Sequence, residues 1–174
     1  MNPCVFSPDR RYRYSLLHTW NDLFASNIAA VIALNPSTAD EHDLDPTLRR
    51  IRGFCAARGL GGFCMLNAFA FRATDPAVMK AETDPVGPDN DFHILEWARR
   101  AEIVIVAWGT HGRFLNRDQE VIRQLNSFGI KPLCWGINAN GTPKHPLYLP
   151  KSSLLVDYPG IEGEGGKTLD QMTI

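Results

Sequence analysis

Apolar residues along this chain fall into two rhythms. Continuous apolar stretches of strand length occur at Ile28–Leu34 (IAAVIAL), Gly61–Asn67 (GGFCMLN) and Ala101–Gly109 (AEIVIVAWG), with a shorter one at Lys131–Gly136 (KPLCWG). An unbroken run of that length marks a strand covered on both faces. Between these runs the spacing changes to threes and fours. Leu48, Ile51, Phe54 and Cys55 share one helical face, with Asp45 as N-cap, Pro46 as first helical residue and Gly59 as the stop. Phe92–Arg100 predicts a helix with Leu95 and Trp97 inward. Arg113–Phe128 predicts another, amphipathic, carrying Phe114, Val121, Ile122 and Leu125. Tyr12, Tyr14 and Leu16 alternate, which suits a strand or hairpin at a sheet edge. The Pro, Asp and Gly residues of Asp75–Asn90 predict a loop, Asn138–Gly141 a turn, and Ser153–Val156 a last short strand.

Strands alternating with helices imply an α/β fold. The expected architecture is a three-layer sandwich with a central, mostly parallel four-stranded sheet and an N-terminal edge strand or hairpin. Residues 1–156 read as a single domain and 157–174 as an acidic, flexible tail. In a parallel sheet the carboxyl ends of the strands share one edge, where ligands bind. Three of the four core strands end in small or polar groups there: Asn35-Pro36, Asn67 and Trp108-Gly109.

Composition narrows the classes. With 174 residues, 44% of them hydrophobic, the chain can bury a substantial core. The formal net charge is −1; the segment from Asp157 onward holds −3 of it, which leaves +2 on the first 156 residues. Such a balance tolerates a nucleic-acid ligand but supplies no general basic field. The four cysteines (Cys4, Cys55, Cys64, Cys134) form no CxxC pair, so they read as reduced core thiols in a cytoplasmic protein. No signal peptide or membrane-spanning run is expected. Asp40, His42, Asp43 and Asp45 cluster, with His111 near a strand end, but their spacing matches no calcium loop or zinc motif. The cluster reads as a solvated acidic loop, and neither metal nor cofactor is expected. Neither GxSxG nor GxxxxGK[ST] occurs, so serine-hydrolase and P-loop readings have no support.

The chemistry-bearing candidates lie at the strand ends. Asn35, held extended by Pro36, can orient water or bond a ligand, or merely close an Asx-type turn. Ser37, Thr38 and Asp40 share that ambiguity as helix caps or pocket wall. Asn67 offers both a donor and an acceptor to a nucleobase edge, or closes a loop. Phe69 and Phe71 can stack a base or fill the core. His145, stiffened by Pro143, Pro146 and Pro150, can donate to a developing oxyanion, pair with phosphate, or be satisfied by backbone.

The motifs LNPSTAD, DPTLRR, LNAFAFRATDP, DPVGPDN, AWG and GTPKHPLYL, in this order from about Tyr12 to Leu155, closely resemble a bacterial and phage family known as domain of unknown function 1643. Their order is more distantly similar to the uracil-DNA glycosylase superfamily. That resemblance implies a parallel-sheet α/β fold. It places Asn35-Pro36 as the water-positioning motif, Asn67 as the base reader and His145-Pro146 as the start of the histidine loop. Leu147 stands where that superfamily has serine, which removes a phosphate contact, and the following YLPK lacks the usual intercalating wedge.

Two functions follow as expectations. The first is a nucleobase N-glycosylase, a hydrolase in which Asn35 and His145 do the chemistry. Asn67, Pro36, Ser37, Phe69, Phe71, Trp108 and Gly109 would then form the ligand site. The second is a non-catalytic binder of a nucleotide or modified nucleic acid in the same pocket. A metal-dependent hydrolase built on the acidic loop is a weaker third. No membrane partner is expected, and the oligomeric state is not legible.

Overall fold

Strand β3 (Ile28–Ala33) is buried over its whole length, and its alternate side chains serve two different cores. Ile28, Ala30 and Ile32 enter one cluster; Ala29, Val31 and Ala33 enter the other. This is why the segment is apolar throughout rather than at every second position. The computed structural model describes residues 4–20, 27–37 and 45–160. The acidic-loop residues Asp40, His42 and Asp43, with Thr38, lie outside them, as does the tail beyond Gly160.

The described residues form one seven-stranded sheet of order β1-β2-β4-β3-β5-β6-β7. Besides β3, the strands are β1 (Cys4–Phe6), β2 (Arg13–Thr19), β4 (Gly62–Asn67), β5 (Ile103–Val106), β6 (Leu133–Cys134) and β7 (Val156–Asp157). β4, β3, β5 and β6 run parallel to one another, whereas β1, β2 and β7 pair antiparallel at the flanks. The sheet is therefore mixed and wider than the four strands expected. The expected N-terminal edge strand or hairpin is a hairpin, with β1 as the sheet edge and β2 paired between it and β4. The last strand lies at Val156–Asp157 rather than Ser153–Val156.

Helix α1 (Pro46–Ala56) covers one face with Leu48, Ile51, Phe54 and Cys55, and Phe54 stacks on Trp135 at 5.0 Å. Its start follows from Asp45, whose carboxylate accepts from Leu48 N at 2.8 Å, and from Pro46, which needs no partner at that position. The other face carries α3 (Asn90–Ala98) and α4 (Arg117–Ser127), which contribute Ile94, Trp97, Val121, Ile122 and Leu125. Burial of each such side chain stabilises by about 1.5–3 kcal/mol. Ile94 is buried in place of the expected Leu95, which is only half-buried.

Two further expectations are corrected. The Asp75–Asn90 loop contains a short helix, α2 (Pro76–Ala81), started by Asp75 accepting from Ala77 N. The predicted helix Arg113–Phe128 is interrupted. A 3₁₀ segment spans Thr110–Asn116, and Leu115 and Asn116 adopt left-handed backbone before α4 begins. Phe114 therefore packs from outside the helix, against Phe69. The cysteines are unbridged, with Cys55, Cys64 and Cys134 buried; burial pushes the Cys55 thiol up to about 12, so it stays protonated and inert. Among the described residues no helix is long and apolar enough to cross a membrane.

Candidate functional site

A cavity of about 820 Å³ opens where β3, β4 and β5 end. Of the residues singled out in the sequence, Asn35, Ser37, Asn67, Trp108, Gly109 and His145 all line it. Three do not. Phe69 is fully buried between the sheet and Phe114, and Phe71 packs edge-on against Tyr12 at 6.0 Å. Neither ring can stack a ligand in this cavity. Pro36 is buried behind the wall, where its carbonyl accepts from Ala73 N and from the Asn35 amide.

Asn67 is the last residue of β4 and only 2% exposed. Its backbone is clamped from behind. Asn90 Nδ2 donates to the carbonyls of Asn67 (3.0 Å) and Ala68 (3.1 Å), and Arg117 Nε donates to Ala68 O at 2.7 Å. Arg117 is itself held by Asp91. The side-chain Nδ2 of Asn67, by contrast, is buried and has no hydrogen-bond partner among the described residues. Leaving a buried donor unmet costs about 1–3 kcal/mol, so such a group at a cavity wall calls for an acceptor from a ligand.

Asn35 has the opposite arrangement. Its Nδ2 donates to Ala73 O at 2.7 Å and to Pro36 O at 3.2 Å. These two bonds fix the orientation of the amide and leave Oδ1, an acceptor, as the group it can offer. An amide oxygen can hold a water molecule in place, but it cannot take up its proton at neutral pH.

His145 follows a hairpin in which Lys144 N donates to Gly136 O at 2.9 Å and precedes the turn Pro146–Tyr148. Leu147 N approaches its Nδ1 at 3.4 Å, which makes Nδ1 the acceptor and puts the proton of the neutral ring on Nε2. Burial holds the imidazole below its ordinary value, against the opposing pull of the Asp45 charge. At neutral pH the ring is therefore an uncharged donor. Gly109, at φ 68°, lies beside it, with a built Cβ 3.9 Å from His145 Cβ; that backbone favours glycine.

Trp108 forms part of the wall and is 1% exposed. Its indole lies so close to Gly112 that a Cβ there would clash with the ring, and its Nε1 has no hydrogen-bond partner among the described residues. Several lining residues were missed by sequence reasoning. Arg13, 6% exposed, reads in the sequence only as part of an alternating strand. Asp45 reads as a helix cap, which it is, yet it also lines the cavity. Tyr148 reads as a loop residue, and its position between Pro146 and Pro150 was the available signal. Among the described residues no three His, Cys, Asp or Glu side chains are grouped to hold a metal ion.

The wall thus carries one oriented acceptor, two unmet donors and a neutral imidazole at the carboxyl ends of parallel strands. The carboxyl ends of parallel strands are where open α/β sheets place ligand sites, and this mixed α/β fold has its larger cavity there. The family model of a protein of unknown function, DUF1643, matches residues 13–147, and the chain belongs to that family. No match was found among curated proteins or among solved structures.

Proposed function

We propose that the cavity takes a nucleobase and that the chain is an N-glycosylase acting on a base-bearing substrate. The observation that carries this reading is the buried, unmet Nδ2 of Asn67, aligned by the Asn90 clamp behind it. A base carbonyl oxygen is a flat, neutral acceptor of the right kind. Asn35 Oδ1 would hold the attacking water, whose oxygen bonds to the anomeric carbon as the bond from that carbon to the base nitrogen breaks. The electron pair leaves with the base, and His145 Nε2–H stabilises the charge that develops on it. The water proton passes to solvent or to the departing base, because no carboxylate stands at the Asn35 position. The test is a panel of damaged-base oligonucleotides and free nucleosides, with chromatography of the released base. Release from at least one substrate, lost in Asn67→Ala, supports the reading. No release from any, under conditions in which a control glycosylase works, overturns the catalytic claim.

An amide rather than a carboxylate at position 35 also favours a second reading, a binder without turnover. It requires saturable binding of a nucleotide or modified nucleic acid, abolished in Asn67→Ala, with product absent at all times.

A further inference from the structure

The mouth of the cavity has its own chemistry. Tyr148 lines it and is 84% exposed, the most exposed large side chain with apolar character among the described residues. The chain does not leave this ring in water by looseness. Pro146 and Pro150 bracket it, the short 3₁₀ turn Pro146–Tyr148 sets its backbone, and the next residue, Leu149, is buried in the core beside α1. The ring centroid stands 6.1 Å from that of His145, so a flat group bound near the imidazole would have Tyr148 next to it. Lys144 and Lys151, both exposed, flank the turn on either side. The Lys144 alkyl chain runs past Gly136, where an added Cβ would meet its Cδ at 3.4 Å.

An exposed aromatic ring on a segment that carries an exposed lysine on each side of it in sequence offers the pairing that single-stranded nucleic acid uses: bases stack on the ring and phosphates meet the cations. We propose that this mouth is a platform for a polynucleotide single strand, in which the base adjoining the one in the cavity stacks on Tyr148 while Lys144 and Lys151 contact the flanking phosphates. The inference rests on the nucleobase reading above and narrows it from any base-bearing ligand to a strand. A duplex would keep that adjoining base paired and stacked on its neighbours, so the ring would have no free face to meet. With two lysines engaged, the field is small, and the logarithm of affinity should fall against the logarithm of salt concentration with a slope of about −1.4.

Fluorescence anisotropy tests this with the full chain and a labelled mixed-sequence DNA strand, the same sequence as RNA, and the DNA annealed to its complement. The expected result is tighter binding of the single strands than of the duplex. Tyr148→Ala should weaken it on the order of tenfold and Tyr148→Phe should preserve it. Lys144→Gln with Lys151→Gln should flatten the salt slope. Comparison of the DNA and RNA arms decides which strand is taken. Nucleoside binding to the same protein is measured in parallel by calorimetry. If nucleosides bind through Asn67 but strands bind no tighter, or Tyr148→Ala changes nothing, the platform is overturned and the nucleobase reading stands. If neither nucleosides nor strands bind, both fall.

Discussion

The two edges of the parallel strands can be set side by side. Where β5 and β6 begin, a groove of about 610 Å³ runs past Arg99, Phe128 and Lys131; where β3, β4 and β5 end, the cavity measures about 820 Å³. Size does not separate them. Their polar atoms do. In the groove, Arg99, Glu102 and Lys131 are all exposed, and Arg99 simply lies over the Phe128 ring at 5.5 Å. In the cavity, Asn67 and Arg13 are buried polar residues, and the Nδ2 of Asn67 has no hydrogen-bond partner among the described residues. Solvated charges cost little and select nothing, whereas a desolvated donor fixes what can sit opposite it. The difference is the reason the proposed site is set at the carboxyl edge rather than in the groove.

That contrast is open to being broken. The largest effect is expected behind Asn67. Replacing Arg117 with Met strips Ala68 O of a donor and Asp91 of its partner, and should cost about 3 kcal/mol in urea unfolding. A loss below ~1 kcal/mol would show that the clamp does not hold the strand end. At the strand starts the chain is tight instead: a Cβ on Gly62 would lie 2.5 Å from the His18 carbonyl oxygen, across the β2–β4 pairing. Gly62→Ala should therefore destabilise by about 1–3 kcal/mol without touching ligand binding.

Asn67→Leu should do the reverse. Removing the unmet donor should leave stability unchanged or raise it by about 1 kcal/mol, while nucleobase binding disappears. A destabilised Asn67→Leu would mean that the amide is structural. For His145 the sign follows from its lowered value. The ring is neutral in the folded chain and charges more readily when unfolded, so its contribution is complete above the ordinary histidine value of 6.5 and is lost as pH falls from there through the folded value. An NMR titration of its Cε1 resonance should give a midpoint below 6.5; a midpoint at or above it contradicts the buried donor. The smallest effect is reserved for the groove, where Lys131→Gln should change stability by no more than about 0.5 kcal/mol.

Much of this edge was legible in the sequence, and for a common reason. The strands that end there are apolar on both faces because two cores claim them, so Asn35 and Asn67 stand out as the first polar residues after each run. The Asp45-Pro46 start of α1 was equally plain. The same Asp-Pro signal at Asp75-Pro76 was passed over, because α2 has six residues and buries only Met79. β6 falls inside the expected Lys131–Gly136 and β7 overlaps the expected Ser153–Val156 at Val156 alone, because strands of two residues leave too little pattern to fix their bounds. The interruption at Leu115 and Asn116 was hidden because Phe114 and Val121 carry on a helical spacing across it. Phe69 and Phe71 show the limit of residue type as a guide: aromatic positions two apart past a strand look available, yet one is core and the other covers Tyr12.

The buried amide of Asn67 has a further consequence for the life of the protein in a cell. A molecule whose interior carries an unmet donor is held below the stability its core could reach, and any compound that meets that donor in the folded form alone raises the fraction folded by mass action. Proteases that act on transiently opened chains would then clear empty molecules faster than filled ones. Were the proposed nucleobase ligand to bind there, the abundance of the protein would report how much of it is present.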